Sequence, residues 1–183
     1  MGPMTLPGLG SLTPVPALER PDLLAAPVVT ALEGWSAADR VGVVEIDPAL
    51  ADTAACAEAY DLPLDSGANC VLVGGRRGGD ERVAACVVRA DTRADVNNVV
   101  RRLLDVRKAS FLAMDQAVTE SSMEYGGITP LGLPPQWRVL VDEAATGIDV
   151  AVIGSGVRHS KILLPGSLLA ELPGSEVVPG LAR

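Results

Sequence analysis

Tyr125-Gly126-Gly127-Ile128-Thr129-Pro130-Leu131-Gly132-Leu133-Pro134-Pro135 carries three glycines and three prolines in eleven residues. Proline lacks the amide donor that a helix or central strand needs, and glycine loses the most chain entropy on ordering. The stretch is therefore a loop with a fixed, unusual backbone. The apolar run Val139-Leu140-Val141 follows directly and reads as a buried strand, which anchors the loop on a core. With no side chain at Gly126, Gly127 or Gly132 and a rigid Pro130, backbone amides and carbonyls can approach a ligand unobstructed. That is the design of a binding loop; an Ω-loop without a ligand is the alternative.

Outward from the loop, strands and helices alternate without a repeat. Pro21 to Leu32 predicts a helix with Leu23, Leu24, Val28 and Leu32 on its apolar face, and Val41 to Ile46 reads as a strand. Asp47 and Pro48 supply an N-cap and a first-turn proline for a helix to about Tyr60. Cys70 to Val73 and Val83 to Val88 read as a hairpin whose polar tip runs from Gly74 to Glu81. Val96, Val99, Val100, Leu103 and Leu104 fall on one helical face, with Thr92 and Asp95 resembling a capping box before it. A short strand is expected over 110–113 and a helix over 116–123. After the loop come strands over 138–141, 150–153 and 161–164, a short helix over 167–172 and a last strand over 176–178. Several strands are joined too closely for parallel crossovers. The expectation is an α+β (mixed α/β) domain, a mostly antiparallel central sheet wrapped by helices. Residues 1–20, rich in proline and glycine, are expected to form a flexible arm, and 21–183 a single domain.

Composition narrows the function. At 183 residues, with 48% hydrophobic and 21% charged residues, the chain can bury a substantial core and is not a disordered one. No apolar stretch approaches the ~18–20 residues that cross a bilayer, and residues 1–16 lack the basic and apolar regions of a secretory signal. Three cysteines, Cys56, Cys70 and Cys86, without CxxC spacing predict reduced thiols and a cytoplasmic setting. The net charge of -8 excludes a surface that grips nucleic acid everywhere but leaves room for a local basic patch. One Phe, two Tyr and two Trp argue against a stacking platform for single-stranded bases.

Familiar catalytic patterns fail. Gly154-Ser155-Gly156 follows a strand as a dinucleotide fingerprint does, but His159 stands where its third glycine belongs and too little chain follows. No Walker A sequence and no nucleophile elbow occurs. His159 is the only histidine, so a catalytic triad or a zinc site would have to use it; a surface imidazole and small buried thiols are the better readings. No metal and no cofactor is expected.

The order of sequence words resembles a known family. Thr53-Ala54-Ala55-Cys56-Ala57-Glu58-Ala59-Tyr60 leads to Cys70-Val71-Leu72-Val73, and Arg89-Ala90-Asp91-Thr92-Arg93-Ala94-Asp95-Val96 precedes the amphipathic helix. The Tyr125–Pro134 loop, Val139-Leu140-Val141-Asp142 and Gly154-Ser155-Gly156-Val157-Arg158 follow in turn. In this order they resemble the YbaK-type aminoacyl-tRNA deacylases, also called the prolyl-tRNA-synthetase-associated or INS editing domain, whose loop reads GG-x-(S/T)-P-x-G. The resemblance implies a mixed, mostly antiparallel sheet wrapped by helices. It also implies trans-editing, the hydrolysis of the ester that joins a wrong amino acid to a tRNA. Its partner is the tRNA acceptor end, with an aminoacyl-tRNA synthetase as a further candidate.

The resemblance further implies that Gly126, Gly127, Thr129 and Pro130 hold the substrate amino acid and the attacking water through backbone groups. Asn69, Ile128, Gly132, Gly154, Ser155, Arg158 and Lys161 would contact substrate. Many members carry a lysine where Asn69 stands, and some an aspartate where Lys161 stands, so positive charge can reach this site from the other side; solvated charge at Arg158 and Lys161 is the alternative. Cys70 alternates with Asn69 along the strand and is expected on the far face of the sheet. Arg101, Arg102, Arg107 and Lys108 are candidate tRNA contacts, and Arg76 and Arg77 sit in the hairpin tip; each also fits an ordinary solvated surface. A catalytically impaired module that captures an aminoacyl-like ligand or a protein partner is the other function left open.

Overall fold

The computed structural model describes residues 6–183. Nine strands run in chain order as β1 (Val15–Pro16), β2 (Gly42–Glu45), β3 (Ala68–Arg77), β4 (Asp80–Arg89), β5 (Ser110–Phe111), β6 (Arg138–Asp142), β7 (Val150–Ile153), β8 (Ser160–Pro165) and β9 (Ser175–Val178). Four α-helices join them: α1 (Ala26–Glu33), α2 (Thr53–Ala59), α3 (Arg101–Leu104) and α4 (Met114–Ser121). The fold is the expected α+β, but the one central sheet resolves into two. A four-stranded sheet in the order β1-β2-β8-β7 is wholly antiparallel. A five-stranded sheet in the order β5-β3-β4-β6-β9 is mixed, because β4, β6 and β9 run parallel.

The two sheets face each other across the main core. Val43, Ile153, Ile162 and Leu164 from the first sheet meet Ala68, Val87, Val139 and Val141 from the second, with Val28 and Leu32 of α1 closing one side. On the outer face of the second sheet, Cys86, Val88 and Leu140 pack under Val100 and Leu104. On the outer face of the first, Val44, Val152 and Leu163 are covered by Cys56 of α2. Alternate residues of one strand thus serve opposite faces, as the two-residue period of a strand requires.

Several local expectations change. The arm expected over residues 1–20 is corrected from residue 6 onward: Leu12 and Ala17 are buried and β1 pairs with β2, because strand pairing and burial recruit a segment rich in breakers. Residues 1–5 lie outside those described. The helix expected from Asp47 to Tyr60 is split: Asp47 caps only the single turn Pro48–Leu50, and Asp52 caps α2 by accepting from the Thr53 amide at 3.0 Å. The hairpin tip is tight, since β3 and β4 stay paired out to Arg77 and Asp80 and leave only Gly78 and Gly79 between them. Asp95 alone caps the following helix, whose first turns are a π-helix over Val96–Val100; the Thr92 hydroxyl donates instead to the Arg89 carbonyl at 2.7 Å.

Candidate active site

A cavity of about 410 Å³ opens between α2, the start of β3, the end of β7 and the Gly/Pro loop. Asn69, Gly126, Ile128, Gly154 and Lys161 all line it. They come from segments spread over more than ninety residues of sequence, brought together because β3 and β7 approach where the two sheets meet. Gly127, Thr129, Pro130, Gly132, Ser155 and Arg158 are not part of the wall. They stand behind it or beside it.

The loop is held by a second glycine-rich segment rather than by itself. The Gly127 amide donates to the Glu124 carbonyl at 3.0 Å, and the Gly127 carbonyl accepts from the Gly156 amide at 2.7 Å. The Glu124 amide donates in turn to the Gly156 carbonyl at 2.9 Å. A Cβ on Gly154 would lie 2.5 Å from the Gly127 carbonyl oxygen and 2.7 Å from that of Ile128. Gly126, at φ +88, and Gly132, at φ +83, adopt the left-handed backbone that L side chains rarely enter. Arg158 clamps the outside: its guanidinium donates to the Tyr125 carbonyl and the Pro48 carbonyl, both at 3.1 Å, and its amide donates to Glu124 Oε1 at 3.1 Å. Both polar groups of Gly127 are therefore spent on the scaffold. The amides of Gly126 and Ile128 have no partner among the described residues and belong to residues of the cavity wall.

Thr129 is fully buried, and its hydroxyl has no hydrogen-bond partner among the described residues. A buried orphan hydroxyl costs about 1–3 kcal/mol. Thr129→Val is thus expected to leave thermal stability unchanged or raised, and to leave ligand binding in the cavity unchanged, as calorimetry on the two proteins would show. Ser155 is likewise buried; its Oγ lies 2.6 Å from Ser160 Oγ, which is 2.5 Å from the Leu23 carbonyl oxygen. This pair ties the loop support to the segment before α1.

Within the cavity, the Thr53 hydroxyl donates to the Asn69 side-chain oxygen at 3.0 Å, and the Asn69 amide nitrogen has no partner among the described residues. Lys161 is buried, and that burial, with Arg158 nearby, lowers its pKa below the usual lysine range against the opposing influence of Cys56 and Asp52. Cys70 does not turn away from the site. It packs beside Leu72 and Ile128 and lines the cavity, because Cys70 and not Asn69 shares the strand face of Leu72. Burial and the neighbouring Cys86 push its thiol pKa far up, and Cys86 itself rises to about 12, so neither is a thiolate near neutral pH. His159 lies outside the cavity, with Nε2 3.3 Å from the Asp22 carbonyl oxygen. All three cysteines are free, and no cluster of three metal-ligating side chains occurs among the described residues.

Two features of the wall escaped sequence reading. Phe111 is 65% exposed and Tyr125 54% exposed, and both stand on the cavity. A count of aromatic residues cannot reveal that the only Phe lies on this cavity. The other is Thr53, whose role rests on a contact sixteen residues away in sequence.

The basic candidates gather elsewhere. Arg101 and Arg107 join Arg76 and Arg77 around a second depression of about 330 Å³ at the hairpin tip. Asp105 sits among them, 2.5 Å from Arg77 and 3.5 Å from Arg82. Arg102 and Lys108 lie outside that depression, Arg102 bonding back to the Asn98 carbonyl. At ~3.4 Å per residue of strand, β3 places Arg77 roughly 27 Å from Asn69.

The fold and the loop-lined cavity define a class. The sequence pattern of the aminoacyl-tRNA editing domain matches residues 47–172, more than half of the chain, and the chain belongs to that family. No curated protein matches it in sequence. Among solved structures it is similar to a candidate trans-editing enzyme for prolyl tRNA synthetase, with a TM-score of 0.72 at 19% identity over 85% of this chain and 94% of that one. It is also similar to a hypothetical protein, APE2540, with a TM-score of 0.68 at 18% identity over 77% of this chain and 90% of that one. At these identities the likeness is one of fold. No helix among the described residues is long and apolar enough to cross a membrane.

Proposed function

We propose that the chain is a trans-editing deacylase that hydrolyses the ester of mischarged aminoacyl-tRNA in the cavity lined by Gly126, Ile128, Gly154 and Asn69. The observation that carries this reading is the pair of unpartnered amides at Gly126 and Ile128 on the cavity wall, on a loop held at Gly127 by Glu124 and Gly156 and at the Tyr125 carbonyl by Arg158. Rigid amide donors at a cavity wall suit an oxyanion, and their pre-arrangement is worth a few kcal/mol of the barrier. Gly127, Thr129 and Pro130 set the loop's shape from behind, and Ser155, Arg158 and Gly132 brace it. An aminoacyl ester is already activated, so positioned water, with the ribose hydroxyl of the terminal adenosine passing the proton, needs no side-chain base. Phe111 and Tyr125 offer exposed ring faces on which the terminal adenine can stack. A synthetase partner is compatible with this reading.

The test is a deacylation screen on a panel of mischarged tRNAs. Release of amino acid from at least one of them, faster than from tRNA alone, supports the reading. Tight binding without turnover across the panel would instead favour a capture module, which the uncharged Asn69 alone suggests. No covalent intermediate is expected. Cys70→Ser should keep activity within a few-fold, and a trapped acyl-thioester on Cys70 would replace the water mechanism with nucleophilic catalysis.

A further inference from the structure

Lys161 is a buried lysine, and Asp52 on the same cavity favours its charged form without reaching ion-pair distance. It is 9% exposed, lines the cavity, and forms no ion pair with a described residue. Burial of an unpaired ammonium opposes folding by several kcal/mol, so such a group is accounted for by what enters the cavity and not by the fold. Its position is specific. The ladder between β7 and β8 ends at Ile153 opposite Ile162, and the next residues on the two strands are Gly154 and Lys161. Gly154 in turn packs against the carbonyls of Gly127 and Ile128. Lys161 thus stands one strand away from the loop that carries the Gly126 and Ile128 amides, on the strand face covered by α2.

We propose that Lys161 is a catalytic residue of this site, its ammonium facing the ester carbonyl oxygen and stabilising the negative charge that gathers there as water adds. This rests on the deacylase reading. The water oxygen bonds to the carbonyl carbon while the carbonyl π pair moves onto the oxygen beside Lys161 and the amides of Gly126 and Ile128. Return of that pair breaks the bond to the ribose oxygen, which receives the proton given up by water through the neighbouring ribose hydroxyl. The products are the free amino acid and a tRNA with an intact ribose hydroxyl. A phosphate held by Lys161 would carry its charge before and after reaction alike, and would show in KM; a carbonyl that becomes anionic only during reaction shows in kcat.

Lys161→Met is measured on the mischarged tRNA that the wild type hydrolyses. The expected result is a kcat lower by about 100-fold with KM within threefold, and a melting temperature equal to or above wild type since an unpaired buried charge is gone. Asn69 lines the same cavity, so Lys161→Met combined with Asn69→Lys should recover at least tenfold of the loss. A merely structural role of Lys161 would give no such recovery. Wild-type activity with a Lys161→Met variant that keeps its kcat, or loses only in KM, overturns this proposal alone. A wild type inactive on the whole panel overturns the deacylase reading and this proposal with it.

Discussion

Gly127→Ala is expected to lower kcat for deacylation by about 100-fold or more while the protein still folds. The cause is contact and not backbone strain. A Cβ at Gly127 would lie 2.6 Å from the Val157 carbonyl oxygen and 2.8 Å from its carbon, both main-chain atoms of the supporting segment. Backbone cannot rotate aside as a side chain can, so the loop must move. Overpacking of this kind costs about 1–3 kcal/mol, which for a chain of this size lowers the melting temperature by roughly 2–12 °C. Displacement of the Gly126 and Ile128 amides by about 1 Å is enough for the rate loss. Gly147→Ala is the control: nothing lies within 4 Å of its Cβ, and both rate and melting temperature should match wild type. An active, unshifted Gly127→Ala protein would show that the loop position has no part in the chemistry.

Charge reversal at the hairpin tip carries the second large effect. Arg101→Glu combined with Arg107→Glu should weaken binding of whole tRNA at least tenfold and flatten its dependence on salt, since removing one phosphate contact lowers the slope of log K against log salt by about 1. Hydrolysis of a minimal aminoacyl-adenosine should be unchanged, because the tip is roughly 27 Å from the cavity along β3. Arg102→Glu, outside the depression, should do less. A tRNA affinity and salt slope equal to wild type in the double variant would place the nucleic-acid contact on another face.

Local chemistry in the sequence was enough to locate the loop, because Gly126, Gly127, Pro130 and Gly132 exclude regular structure whatever surrounds them. The amphipathic helix and most strands were legible for the same reason, their periods being set by their own residues. What failed depended on distant partners. The two sheets could not be separated from one, because β6 and β9 run parallel to β4 and nothing local marks a strand's direction. Residues 6–20 read as an arm because prolines and glycines say nothing of the pairing that Val15 and Pro16 make with β2. Cys70 joined Asn69 on the cavity wall instead of turning away, since the face that it presents is fixed by the register of β3 with β4. Lys161 was visible as a charge, but only the packing of α2 over the first sheet shows that it is buried.

The most direct test of the central claim is where a stable substrate mimic binds. A 3′-aminoacylamido-3′-deoxyadenosine, carrying the amino acid identified in the deacylation screen, keeps the substrate's shape but replaces the labile ester with an amide. Titrated into isotope-labelled protein, it should shift the amide resonances of Gly126, Ile128, Gly154 and Asn69 together, at one saturating affinity, and leave Arg77 and Arg101 unmoved. Shifts confined to the hairpin tip, or none at millimolar ligand, would contradict the assignment of the cavity as the deacylation site.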